Sequence, residues 1–268
     1  MGQTRGNTRA DEPVRPANEL ASPQPLAASL PGAAVTLTDV LIWGRNDGTA
    51  SAAAGINVHV HAGQSVALHG PADATAFDLL DVVAGRRRPR QGHVTVDGTV
   101  QRLGVPPLDR CLVDRRPLSG RFPLLPSRSV TSNMLTALRS RRPDPAAQAR
   151  VAELLVITGA ATLTARRFDT LSAEQQWRVL IARALLSRPQ LVVAEDPSPG
   201  LDARAAMRVL DLLMDAQVRF GFTLLLATRR LATAARCDRV LSLAGGQVTA
   251  DELIGDDAWT RRRVDRIG

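Results

Sequence analysis

Two short and almost unbroken apolar runs, Leu191-Val192-Val193-Ala194 and Thr223-Leu224-Leu225-Leu226-Ala227, constrain the fold of this chain more than any other feature. A strand with one wet face alternates apolar and polar residues. A strand that is apolar at every position must be covered on both sides, as in a parallel sheet carrying helices on each face. The flanking segments read as those helices. One starts at Asp202, runs through Leu210, Leu213 and Met214, and stops at Gly221. Another begins after Ser172, continues through Leu180, Ile181, Ala184 and Leu185, and ends at Arg188-Pro189. A third opens at Asp144-Pro145, an acidic N-cap followed by proline at the first helical position, and ends near Gly159. Its Val151, Leu154, Leu155 and Thr158 fall on one face.

Earlier in the chain, strands are expected over Val35–Ile42, Ile56–Val60 and Ser65–Leu68. A helix should follow Gly70, burying Leu79, Leu80, Val82 and Val83 and closing at Gly85. A short strand and turn are expected over Gly92–Gly98, and a late strand at Val240–Leu243 precedes a turn at Gly245-Gly246. The stretch from Arg110 to about Pro143 is proline-punctuated and reads as an irregular, variable loop. The fold class is therefore α/β, a mostly parallel sheet flanked by helices on both faces. Ligands in such sheets bind at the carboxyl ends of the strands.

Composition narrows the compartment and the partners. No run of about 18 uncharged apolar residues occurs, and residues 1–33, rich in Pro, Ala, Ser and Asn, lack the apolar core of a signal peptide and read as a disordered tail. Cys111 and Cys237 make no disulfide framework, which suits a reducing cytoplasm. The net charge of +8 is carried entirely by arginine, for the chain contains no lysine. That usage fits a GC-rich coding bias. Arginine clusters occur at Arg86–Arg88 and Arg261–Arg263, but with 3% aromatic residues no base-stacking platform accompanies them, and no nucleic-acid partner is expected. His59 and His61 share one strand face, but no acidic or cysteine ligand is placed to complete a metal site.

Three segments carry chemistry. Gly70-Pro71-Ala72-Asp73-Ala74-Thr75-Ala76-Phe77-Asp78 lies between a strand and a helix, where a phosphate-binding loop belongs. Leu171-Ser172-Ala173-Glu174-Gln175 opens a helix, and taken alone it is also a plain capping box. Leu191 through Asp202 is a strand ending in Glu195-Asp196, followed by Pro197-Ser198-Pro199-Gly200-Leu201-Asp202. In this order and spacing the series resembles the nucleotide-binding domain of ABC transporters. Phe122-Pro123-Leu124-Leu125-Pro126 and Ala194 are similar to the lipoprotein-release and macrolide-export branch.

The resemblance implies a P-loop NTPase-like α/β fold with a small antiparallel β lobe and an inserted helical subdomain: an ABC-type nucleotide-binding domain over residues 34–250, its helical subdomain over about 128–186, and a short extension over 251–268. It implies ATP and Mg as cofactors and a transmembrane permease as partner, at the inner face of the plasma membrane. It also implies a homodimer, or a heterodimer with a related nucleotide-binding subunit, in which one chain's signature completes the other's site. Residues 70–78 take the phosphate-loop positions, with Trp43 as a candidate for stacking on adenine. Leu171–Gln175 take the signature, Leu201 and Asp202 the dimer loop, Glu195 the magnesium carboxylate, Asp196 the water-orienting carboxylate, and Arg229 the switch-histidine position.

The same alignment shows departures. A phosphate loop needs a second glycine, a lysine and a magnesium-binding hydroxyl; here those positions hold Thr75, Ala76 and Phe77. Losing the lysine removes an attraction of about 4 kcal/mol for charges about 4 Å apart at an effective dielectric near 20. Asp73 adds a carboxylate, while Asp78 is a conceivable metal contact. Glu195-Asp196 reverses the expected Asp-Glu order, shortening the base by one methylene. Glu174 sets a negative side chain where a partner's γ-phosphate belongs, and no glutamine between Gln101 and Gln148 matches the family's metal-linking glutamine. Arg86–Arg88 stand about a helix length beyond the loop and read as badly placed to replace the lysine. The expectation is a degenerate ATPase with weak or absent hydrolysis. Two alternatives stay open: an ATPase with rewired ligands, and a non-catalytic regulatory or structural protein that kept the fold.

Overall fold

The computed structural model describes residues 32–42, 55–70, 74–103, 110–113, 124–138 and 145–254. The expected N-terminal tail, Trp43, Pro71-Ala72-Asp73, Phe122-Pro123, Asp144 and the Arg261–Arg263 cluster lie outside them.

Two sheets organise the described chain. The smaller is antiparallel, in the order β2 (Ile56–Val60), β1 (Val35–Leu41), β4 (Gln91–Val96), β5 (Thr99–Val100). The larger has the order β10 (Gln247–Leu253), β9 (Arg239–Ala244), β3 (Ser65–His69), β8 (Thr223–Thr228), β7 (Leu191–Glu195), β6 (Arg110–Val113). It is parallel from β9 to β6, and only β10 runs antiparallel, on an edge.

The apolar runs behave as their composition requires. Val192, Ala194, Leu224 and Leu226 pack into one cluster, while Leu191, Val193, Leu225 and Ala227 enter a second on the opposite face of the sheet. The first cluster is shared with α3 (Pro145–Ile157), α4 (Ala173–Leu185) and α5 (Ala203–Phe220). The second is shared with α1 (Thr75–Val83) and with the inward residues of the small sheet. Complete burial of one leucine contributes about 1.5–3 kcal/mol, so covering both faces is what holds this sheet in place.

Helix ends follow from local chemistry. Asp202 caps α5, its carboxylate accepting from the Ala205 N–H at 2.8 Å, and Gly221 ends the helix at φ +73°. Ser172 and Gln175 form a reciprocal capping box at the start of α4. Gly85 closes α1 at φ +69°, a left-handed conformation that suits a residue without Cβ.

The stretch expected to be an irregular loop from Arg110 to about Pro143 contains two regular elements, β6 and α2 (Val130–Ala137). β6 is a four-residue edge strand that extends the parallel ladder from β7. α2 is capped by Ser129, and its buried Asn133 ties down the preceding turn: Oδ1 accepts from the Leu125 N–H at 2.7 Å, and Nδ2 donates to the Leu125 carbonyl at 2.9 Å. A third unforeseen element, β10, pairs with β9 to complete a hairpin at the sheet edge. Among the described residues, no helix is long and apolar enough to cross a membrane.

Candidate functional site

The site is built where the carboxyl ends of β7 and β8 meet the start of α1. The β3–β8 ladder runs to the pair His69↔Thr228, and the Gly70 N–H donates to the Thr228 carbonyl at 3.1 Å, so the loop leaves the sheet beside the end of β8. Gly70 passes close to the helix: a Cβ there would lie 2.9 Å from the Ala76 Cβ. Thr75 and Ala76 are buried, and the Thr75 hydroxyl accepts from the Gly246 N–H at 3.1 Å. Neither side chain lines the open cleft. That cleft, of about 620 Å³, is bounded by Phe77, Glu195, Asp196, Ser198, Pro199, Arg229 and Arg230.

Asp196 follows β7 and is 7% exposed. Its backbone N–H donates to the Ala227 carbonyl at 2.9 Å, which fixes it against β8. Thr228 Oγ1 donates to one carboxylate oxygen, while the Ser198 hydroxyl and its N–H, at 2.8 Å, donate to the other. Both oxygens are therefore engaged within the chain. Sequence reasoning singled out Asp196 but neither Thr228 nor Ser198; the Asp-Pro-Ser spacing, in which a carboxylate accepts from the backbone two residues on, was the available signal.

Glu195 points to the α1 side of the sheet. Arg86 Nη2 lies 3.7 Å from its Oε1, and Arg86 is also paired with Asp81, Nε donating to Oδ1 at 2.8 Å. Arg87 Nη1 stands 2.9 Å from the carboxylate of Asp78, which is buried and does not line the cleft. Neither Arg86 nor Arg87 lines the cleft. The backbone N–H groups of Arg86 and Arg87 both donate to the Asp81 carbonyl, so after Gly85 the chain folds back and their side chains run up along α1.

Arg229 and Arg230 are exposed at the end of β8. The Arg229 guanidinium carbon stands 5.6 Å from the centroid of the Phe77 ring, a cation–π contact across the mouth of the cleft.

Neither Leu171–Gln175 nor Leu201-Asp202 lines that cleft. Leu171 is buried, and Leu201 packs against the core. Glu174 is held by Arg178 at 2.8 Å and by Arg208 at 2.6 Å, the latter on α5. The Arg208 hydrogen bond, with Arg178 assisting, lowers its carboxyl to about 2. Its negative charge is thus met inside the chain and is not simply presented to a partner.

With the geometry in place, comparison with known proteins decides the family. The ABC transporter family model matches residues 53–199, more than half the chain. The lipoprotein-releasing system ATP-binding protein LolD of Anaeromyxobacter dehalogenans is 35% identical over 207 residues, covering 74% of this chain and 84% of that protein. The chain belongs to the ABC transporter ATP-binding family. The macrolide export ATP-binding/permease protein MacB of Rhodopseudomonas palustris is 32% identical over 211 residues, 77% of this cassette but only 32% of MacB. Among solved structures, a dimeric ATP-binding cassette in a post-hydrolysis state with ADP and Pi superposes with a TM-score of 0.69 at 21% identity, over 83% of this chain and 99% of that one.

ABC cassettes bind ATP and magnesium, so the fit of the cleft to the ion matters. Magnesium takes a near-octahedral set of oxygen ligands. In this cassette the position aligned with the hydroxyl ligand carries the Phe77 ring beneath Arg229, and the carboxylate of Glu195 faces Arg86. Asp196 already accepts on both oxygens. The residues present do not fit a magnesium ion. Exposed cationic groups do remain at Arg229 and Arg230, which suit an anion.

Proposed function

We propose that this chain is the nucleotide-binding subunit of a transporter, docked on a transmembrane permease at the inner face of the plasma membrane, and that it hydrolyses ATP weakly or not at all. The observation that carries this reading is the state of Asp196. A group that orients attacking water needs a free acceptor aimed at that water, and displacement by about 1 Å can lower a rate about a hundredfold. Here Thr228 and Ser198 place three donors on the roughly four lone-pair sites of that carboxylate and turn it into the chain. Ala76 at the lysine position and Phe77 at the hydroxyl position support the same conclusion, since neither can stabilise charge on a transferring phosphoryl group.

Assembly as a dimer, with itself or with a related subunit, is part of the proposal. It draws support from the dimeric cassette that shares this fold. Glu174 favours a second reading, a non-catalytic regulatory or structural protein. Its side chain stands where the signature would offer a small residue to a partner's nucleotide, and its ion pairs fasten α4 to α5. Transported substrate is expected to be chosen by the permease.

The test is steady-state phosphate release from Mg-ATP by the purified full chain beside Asp196→Ala. The proposal expects equal, near-background rates. A robust rate abolished by Asp196→Ala would show a working ATPase with rewired ligands.

A further inference from the structure

The arginines that surround the cleft suggest which form of ligand it takes. We infer that this cleft binds a nucleoside polyphosphate as the free anion, without a divalent cation, with Arg86 holding Glu195 where a metal-bound carboxylate would be and Arg229 and Arg230 meeting the phosphate charge. The inference rests on the proposed cassette function and names the ionic form of its ligand.

Three observations carry it. Arg86 reaches Glu195 by a route fixed twice over, through the fold-back after Gly85 and the pairing with Asp81. A guanidinium is permanently charged and cannot be displaced by deprotonation. A divalent ion placed on Glu195 would face that charge across a few ångströms. Second, Phe77 brings an aromatic face to the position of a metal-ligating hydroxyl, and Arg229 already uses that face. Third, the cleft wall carries two exposed guanidiniums, Arg229 and Arg230, while Asp196 already accepts from two hydroxyls and an N–H and Glu195 lies 3.7 Å from Arg86. The N-terminus of α1 opens at Ala74 with no side-chain cap, and the helix dipole there also favours negative charge. Complexation by magnesium cancels two of the ligand's negative charges and brings a bulky hydrated ion towards Arg86, so the complex should bind less well than the free anion.

The test is isothermal titration calorimetry of the full chain with ATP and with ADP, in EDTA and again in excess Mg²⁺ at matched ionic strength. The expected result is binding in EDTA that weakens by about tenfold in Mg²⁺, as follows from the lost charge at an intermediate dielectric. Arg229→Ala should weaken binding in EDTA by about tenfold, with unchanged thermal unfolding of the unliganded protein confirming that it folds. Arg86→Gln should narrow or reverse the preference for the free anion. Binding that requires Mg²⁺, or no binding in either condition, overturns the inference. These outcomes separate it from the function proposed above: Mg²⁺-dependent binding without turnover sinks the metal-free site but leaves the weak-ATPase reading intact, whereas robust Mg²⁺-dependent turnover sinks both.

Discussion

Thr228 Oγ1, at the end of β8, donates to Asp196 Oδ2, just past the end of β7, and both residues are buried. The same hydroxyl oxygen accepts from the Arg230 N–H at 3.0 Å, so one side chain joins the carboxylate to the turn that carries both exposed arginines. Replacing Thr228 by valine keeps the shape and removes the donor. A buried carboxylate that loses a partner costs about 1–3 kcal/mol. Urea unfolding of Thr228→Val should show a loss of that size, and an unchanged midpoint would mean that the bond contributes nothing to the fold.

Glu174 gives a pH dependence with a definite sign. Its carboxyl is lowered from 4.5 to about 2, chiefly by the Arg208 hydrogen bond. A group depressed in the fold contributes stability that is full above its unfolded value and is lost as pH falls through the folded one. Glu174→Gln should therefore lower the thermal midpoint at pH 7 by on the order of 1–3 °C, the modest size expected of a surface pair that water still reaches through Arg208. Thermal scans of both proteins at decreasing pH should show the difference shrinking below about pH 4.5 and nearly gone at about pH 2. A difference that stays constant across that range would place the effect outside this ion pair.

Cys237 is 2% exposed, and burial pushes its thiol up to about 12. Since the thiolate is the reactive form, a Cys111→Ser variant should resist alkylation by iodoacetamide at pH 8 while folded and react only after denaturation. Mass spectrometry of timed samples checks this. Rapid labelling of the native protein would show that the α6 (Leu231–Ala234) to β9 segment opens locally.

How far the fold was legible depended on whether local pattern and tertiary role agreed. Leu191–Ala194 and Leu224–Ala227 have no polar position, and that alone required a doubly covered sheet. Ser172 and Gln175 announced the helix start that they form. β6 was illegible because four residues on an edge carry too little pattern of their own and depend on β7 for their ladder. α2 was missed because its eight residues bury only Val130, Asn133 and Met134, one of them polar. β10 was missed because Asp251, Glu252 and an exposed Leu253 break the alternation at its end.

In the cleft, residue types could be read but contacts could not. Losses at Thr75, Ala76 and Phe77 are visible in one dimension. That Arg86 returns to Glu195 depends on a left-handed Gly85 and on two N–H groups converging on the Asp81 carbonyl, and counting residues along a helix gives no sign of either.

The claim that this cassette has lost its divalent-cation site is tested most directly by electron paramagnetic resonance of Mn²⁺, titrated into the full chain in the presence of ADP. The account predicts only the spectra of free and nucleotide-complexed Mn²⁺, unchanged by the protein. A protein-bound Mn²⁺ signal that disappears in Glu195→Ala would contradict it.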